Sequence, residues 1–299
     1  EINNLIKELK LITNNLINEK NITIKNELNK IDKMVERVTS TDISNQNYLN
    51  SIRSHLFDCR DFGLLPFANL ARMAFVGTAL LKSLISQKAL SKVRGEQFRG
   101  SIETVSSKFL QDTNDILRGI LNKDEFLSVY GHLRPGTYDI TSPTYRENFE
   151  YFINHGRKET LDEIKSYNFE LTDQEQELTS KLISDNNLSC SAFKLMDFIR
   201  AAVAGREDAK FRFSRALSYV LDHLKHSMVN IGLNKKLIPH ICIKKLIEFE
   251  HEVSDKSLLE RVEKEAQESL AEFERLEGIK SPDIIFSKND FFAFKEFKM

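Results

Sequence analysis

Apolar residues recur at steps of three and four along nearly the whole chain, and that spacing confines it to helices. In the first forty residues Leu5, Leu9, Ile12, Leu16, Ile24, Leu28, Ile31, Val35 and Val38 lay one stripe along a long Asn- and Lys-rich helix, with allowance for a bend at residues 21–23. Thr39-Ser40-Thr41-Asp42 stops that helix and caps the next, expected over residues 45–60. The run Asp61-Phe62-Gly63-Leu64-Leu65-Pro66 predicts a turn, and residues 67–87, apolar most of the way round, predict a central buried helix. Ser91 caps a helix expected to reach residue 121, and Asn122 to Glu125 reads as a capping box for a short helix ending near Tyr130. Helices are expected again over 145–166, from the Thr172–Glu175 capping box to 185, over 191–228 with Ser189 as cap and Gly205 as a weak interruption, and over 241–250 and 254–277. The ending, with Pro282 to Phe286 and Phe291 to Phe294, has the character of short extended segments or a docked linker. The fold class is therefore all-α, a multi-helix domain with long amphipathic helices and at most a minor β element near the C-terminus. Its expected parts are an N-terminal helix (1–40), a helical acceptor-binding domain (41–280) and a linker (281–299).

Composition narrows the function. Eleven glycines and five prolines in 299 residues are too few for a turn-rich β-sandwich or a Gly-rich nucleotide-binding domain. Lys and Arg number 43 against 44 Asp and Glu, so no bulk field draws the chain to nucleic acid or to an anionic membrane. Cys59, Cys190 and Cys242 are far apart, which suits a reducing cytoplasm and argues against a zinc knuckle. No apolar stretch is expected to approach a membrane span. The phosphate-cradling glycine loops, the HExxH helix and the GxSxG elbow are all missing, so the chain does not read as a complete enzyme. His223 and His226 sit at i, i+3, but no further ligand pair completes a metal site, and none is expected.

Two places carry candidate chemistry. The loop from Gly131 to Thr144 holds two prolines and two glycines, and it presents His132, Arg134, Tyr138 and Asp139 from a stiffened scaffold with Gly131 and Gly136 free to take positive φ. Arg134 suits a bidentate clamp on a carboxylate or phosphate and His132 a proton relay; the plainer alternative pairs Arg134 with Asp139. On the later helix Arg206 and Lys210 share a face, and their repulsion calls for an anion or a neighbouring carboxylate, whereas Asp208 and Arg212 form an ordinary ion pair. Arg60 and Arg72 flank the Gly-Leu-Leu-Pro run, at a pocket rim or snorkelling from the core.

Three segments together are similar to the central helical region of the phosphoenolpyruvate synthase-like and rifampicin phosphotransferase-like ATP-dependent phosphotransferases. Cys59-Arg-Asp-Phe-Gly-Leu-Leu-Pro-Phe-Ala-Asn-Leu-Ala-Arg72 resembles the family's Arg-x-x-Gly-Thr-x-x-Phe-Ala, with Leu64 in place of Thr. Tyr130-Gly-His-Leu-Arg-Pro-Gly-Thr-Tyr-Asp139 resembles its Tyr-Gly-His loop, and Gly205-Arg-Glu-Asp-Ala-Lys-Phe-Arg-Phe-Ser-Arg215 its Arg-Glu-x-x-Lys-Phe helix. The resemblance implies an excised middle domain. An ATP-grasp domain would precede it and a phosphohistidine domain follow it, with ATP and magnesium serving the parent enzyme and no cofactor bound here. None of the seven histidines stands in the family's phosphohistidine context. The implied partners are those flanking domains and a small-molecule acceptor, with no nucleic acid and no membrane. The Lys-, Asn- and Ile-rich style resembles the branch of the L-glutamine kinases, which phosphorylate an amide for surface phosphoramidate synthesis. The alternative is a noncatalytic all-α interaction domain whose N-terminal helix packs on a partner.

Overall fold

The stripes fold as helices in the computed structural model, which describes residues 2–40, 48–156, 168–248, 254–277, 279–280, 284–289 and 295–296. Contacts group the chain into two units: Glu1–Thr41, His55–Thr137 and Pro143–Tyr219 form the first, and Asp42–Ser54, Tyr138–Ser142 and Val220–Met299 the second. The expected parts of 145–166, 241–250 and the C-terminal linker that fall on 157–167, 249–250, 281–283, 290–294 and 297–299 lie outside the described residues.

Helix α1 (Ile2–Thr39) runs without the allowed bend. Its buried positions Ile17, Lys20, Glu27, Ile31, Met34 and Val38, with Ile24 half-buried between them, follow a three-four spacing against α3 (Leu65–Ser86). Leu28 and Val35 of the expected stripe are only half-buried. The two charged members of the seam are paired: Lys20 Nζ lies 2.7 Å from the Asp197 carboxylate, and Glu27 accepts from Lys30 at 2.9 Å. The first half of the stripe stays in solvent, with Leu5 59% and Ile12 54% exposed.

The expected turn at 61–66 is not made. Helix α2 (Tyr48–Asp58) passes into a π-helical segment, Cys59–Leu64, and on into α3. The wider turn absorbs one extra residue and leaves Pro66 in the first turn of α3, where its missing N–H has no carbonyl to serve. Nor is α3 buried all round: Leu70, Met73, Gly77, Leu81 and Leu84 face inward while Leu65 and Phe75 are exposed. The continuous run Leu49–Ser86 contains an 18-residue window of mean hydropathy 1.5, one third of it buried, so by length and composition alone it is apolar enough to span a membrane, against the expectation.

Ser91 caps α4 (Lys92–Gly100), accepting from the Arg94 N–H at 3.1 Å. The expected helix to 121 is interrupted because Thr104 and Ser107 form a reciprocal capping box that opens α5 (Val105–Leu117). Asn122 caps α6 (Lys123–Tyr130), α7 is Phe149–Gly156, and the Thr172/Glu175 box opens α8 (Asp173–Asp185) as expected. The 39-residue α9 (Ala192–Asn230) is capped by Ser191 instead of Ser189. Its Ile199 and Ala202 lie against Gly77, where an added Cβ would stand 3.4 Å from the Ile199 Cα, so α3 and α9 approach closely. In the second unit a 3-10 turn (Lys235–His240) packs on α11 (Asp255–Glu277), α10 is Ile243–Glu248, and two-residue strands β1 (Ile279–Lys280) and β2 (Lys295–Glu296) pair antiparallel.

Candidate functional site

Two phenylalanines on one stretch of α9, in the first unit, gather the three segments singled out in the sequence. Phe213 stacks on Phe67 with ring centroids 6.2 Å apart, and it lies so close to Gly63 that a Cβ there would stand 2.7 Å from its ring. Phe211 meets Tyr130 edge-on at 5.8 Å and His132 at 4.9 Å. The first segment thus docks on one side of the Phe211–Phe213 pair and the second on the other.

The start of the Gly131–Thr144 loop is built around the last turn of α6, whose carbonyls have no helical partners. Arg146 donates to the Leu127 carbonyl at 2.9 Å, and Arg215 donates to the Val129 carbonyl at 3.1 Å. Tyr130, 1% exposed, donates its hydroxyl to Asp112 at 2.7 Å, and burial with that carboxylate beside it pushes its pKa upward. Gly131 is helical at φ −58°, not left-handed as expected; what requires glycine is space, since a Cβ would lie 2.4 Å from the Leu127 carbonyl oxygen. Burial, with Arg215 and Arg146 nearby, holds the His132 imidazole down to about 4, although carbonyls of Phe211 and Val129 pull the other way. At neutral pH this ring is therefore uncharged. Arg134 is 6% exposed and donates to the Ser218 hydroxyl at 2.8 Å, binding the loop to α9. Tyr138 and Asp139 belong to the second unit; Tyr138 is 68% exposed, and Asp139 accepts from the Thr141 N–H and hydroxyl at 2.8 and 2.6 Å.

The cations on the helix faces are placed differently. Because Gly63 meets Phe213 and Gly77 meets Ile199, α3 and α9 run antiparallel, and this register sets Arg72 alongside Arg206 and Lys210. Arg72 is exposed and donates to Asn69 at 3.2 Å, while Lys210 is exposed. The Arg206 guanidinium sits 5.7 Å over the Phe75 ring and 3.7 Å from the Glu207 carboxylate, the neighbouring carboxylate that the repulsion called for. Arg60 stands apart from this group: it pairs with Asp61 at 2.6 Å and lies 4.8 Å over Phe57. The Asp208–Arg212 pair is present and extended, since Arg212 also reaches Asp32 on α1.

Sequence reasoning missed Phe75, Asp112 and Arg146. Phe75 carried a signal, because it lies at i+3 from Arg72 on the same helix face. No group of three His, Cys, Asp or Glu side chains suited to a metal occurs among the described residues, and His226 instead meets the Asp222 carbonyl at 2.7 Å. Burial raises the Cys59 thiol to about 12 and keeps it an unreactive apolar filler. The site therefore has the character of an anion-facing strip, Arg72, Arg206 and Lys210, beside a rigid aromatic junction. No family model, curated protein or solved structure matches the chain.

Proposed function

We propose that this chain is the acceptor-binding helical module of an ATP-dependent phosphotransferase that works through a phosphohistidine relay. The observation that carries the proposal is the meeting of the three family-like segments at Phe211 and Phe213, although they are separated by more than seventy residues at some points in the sequence. Surface positions have no reason to converge unless they serve one site. Phosphoryl transfer asks the protein for positioning and positive charge more than for covalent chemistry. Arg72, Arg206 and Lys210 are cations at the solvent face of that junction, and Phe75 gives Arg206 a flat support that keeps its fork extended. The finer reading takes L-glutamine as acceptor, its α-carboxylate held by this strip. His132, uncharged, serves as a hydrogen-bonding group near the junction. ATP and magnesium belong to flanking domains in this reading, and no residue here is assigned to them.

The test is a titration of the chain with L-glutamine and, separately, with inorganic phosphate, followed by NMR shifts. Shifts centred on Arg72, Arg206 and Lys210, with at least about tenfold weaker binding in the Arg206→Ala/Lys210→Ala variant, are expected for loss of charge-assisted contacts. Binding indifferent to that variant, or shifts confined elsewhere, overturns the reading. Incubation with labelled ATP is expected to leave the chain free of acid-labile phosphohistidine, and stoichiometric labelling of any histidine contradicts the proposal.

A further inference from the structure

Helix α1 carries two apolar seams in adjacent registers. One, Ile17, Lys20, Ile24, Glu27, Ile31, Met34 and Val38, faces the first unit's own core. The other, Ile2, Leu5, Leu9, Ile12 and Leu16, keeps the same three-four spacing but is offset by one residue, about 100° around the helix. Leu16 and Ile17 mark the change. Along this second seam Ile2 is 74%, Leu5 59%, Leu9 53% and Ile12 54% exposed. It is continuous with a cavity of about 560 Å3 beside it, where Leu9 and Ile6 of α1 look toward Leu80 and Leu84 of α3 and Leu188 after α8.

We propose that the second seam is a pairing surface for another copy of this chain, two α1 helices meeting through it in a two-fold contact. Three observations favour a second copy. A strict a/d stripe is the narrow seam of a two-stranded coiled coil, and a broader apolar face would be needed to enter a larger bundle. The seam is self-complementary, with Leu and Ile at both heptad positions, as an isologous contact requires. Over residues 2–16 the charged side chains are Lys7, Glu8 and Lys10, so one net positive charge is all that opposes a like copy. Two heptads are too short to pair as free peptides. Here the downstream half of α1 is anchored in the core, so the exposed half is already helical and association does not have to order it. Ten aliphatic side chains in a dimer place the contact near the low end of specific interfaces, roughly 1,200 Å2, which points to a micromolar dissociation constant.

Sedimentation equilibrium of the full 299-residue chain over micromolar to submillimolar concentrations tests this. A reversible monomer–dimer equilibrium is expected, weakened at least about tenfold in the Leu5→Glu/Ile12→Glu variant, because each dimer would bury four added carboxylates. Both side chains are more than half exposed, so the variant's melting temperature at low concentration is expected to match wild type. A dimer that persists in the variant overturns the proposal. So does a chain that stays monomeric throughout, including one whose seam instead takes up a small apolar probe such as anilinonaphthalene sulfonate.

Discussion

Arg134, Arg146 and Arg215 carry the same charge as Arg72, Arg206 and Lys210, yet the two groups meet opposite fates in the first unit. The first three reach into the protein, where they bind Ser218 and the carbonyls that end α6. Those bonds give each guanidinium a structural duty. The second three stand on the outer faces of α3 and α9, with an amide, one carboxylate and an aromatic ring as company. A loop that looks like a binding site can thus be a clasp, while an unremarked helix face keeps its charge available.

The sharpest way to break this contrast is Gly131→Ala. Its Cβ would lie against a backbone carbonyl that cannot swing aside, so a loss of about 3 kcal/mol is expected in urea unfolding. A neutral result would mean that the α6 terminus is not rigidly held.

Acid gives the next effect. His132 is held near 4 in the folded chain against about 6.5 unfolded, so the unfolded state binds more protons between those values. Its stabilisation is complete above pH 6.5 and is lost as pH falls toward 4, an effect of about 2–3 kcal/mol. In His132→Gln the slope of stability over that window should shrink. It should not vanish, because burial also lowers the His55 pKa.

Arg134→Ala is expected to cost about 2 kcal/mol, the worth of a buried charge-assisted bond, leaving the Ser218 hydroxyl without that donor. Normal stability combined with impaired acceptor binding would move Arg134 from the clasp to the site. At the small end, Lys210→Ala should change stability by no more than about 0.5 kcal/mol, as exposed substitutions do. Its effect is expected in anion titration alone.

The helical class, most caps and the long helices could be read from the sequence because they rest on local spacing. Thr172 with Glu175 and Ser91 with Arg94 bond within three residues, so nothing distant could overrule them. The clasp could not be read, since the partner of Arg134 lies 84 residues away and that of Tyr130 is set by the packing of α5 on α6. The burial of α1 was misjudged where two registers overlap, because alternation alone does not say which of two adjacent stripes finds a neighbour. Arg206 and Lys210 were paired correctly by helical spacing, but Arg72 joined them only through the antiparallel run of α3 and α9.

The π-helical segment Cys59–Leu64 also works as a phase marker. One surplus residue advances everything downstream by about 100°, so α2 and α3 present faces that a single helical wheel cannot describe. Removing one residue there would restore a uniform α-helix while turning Leu70, Met73 and Gly77 away from their present neighbours. The segment is therefore intolerant of length change although it tolerates substitution. Among relatives of this chain, single-residue gaps should be rare at this point and commoner in the connections between helices.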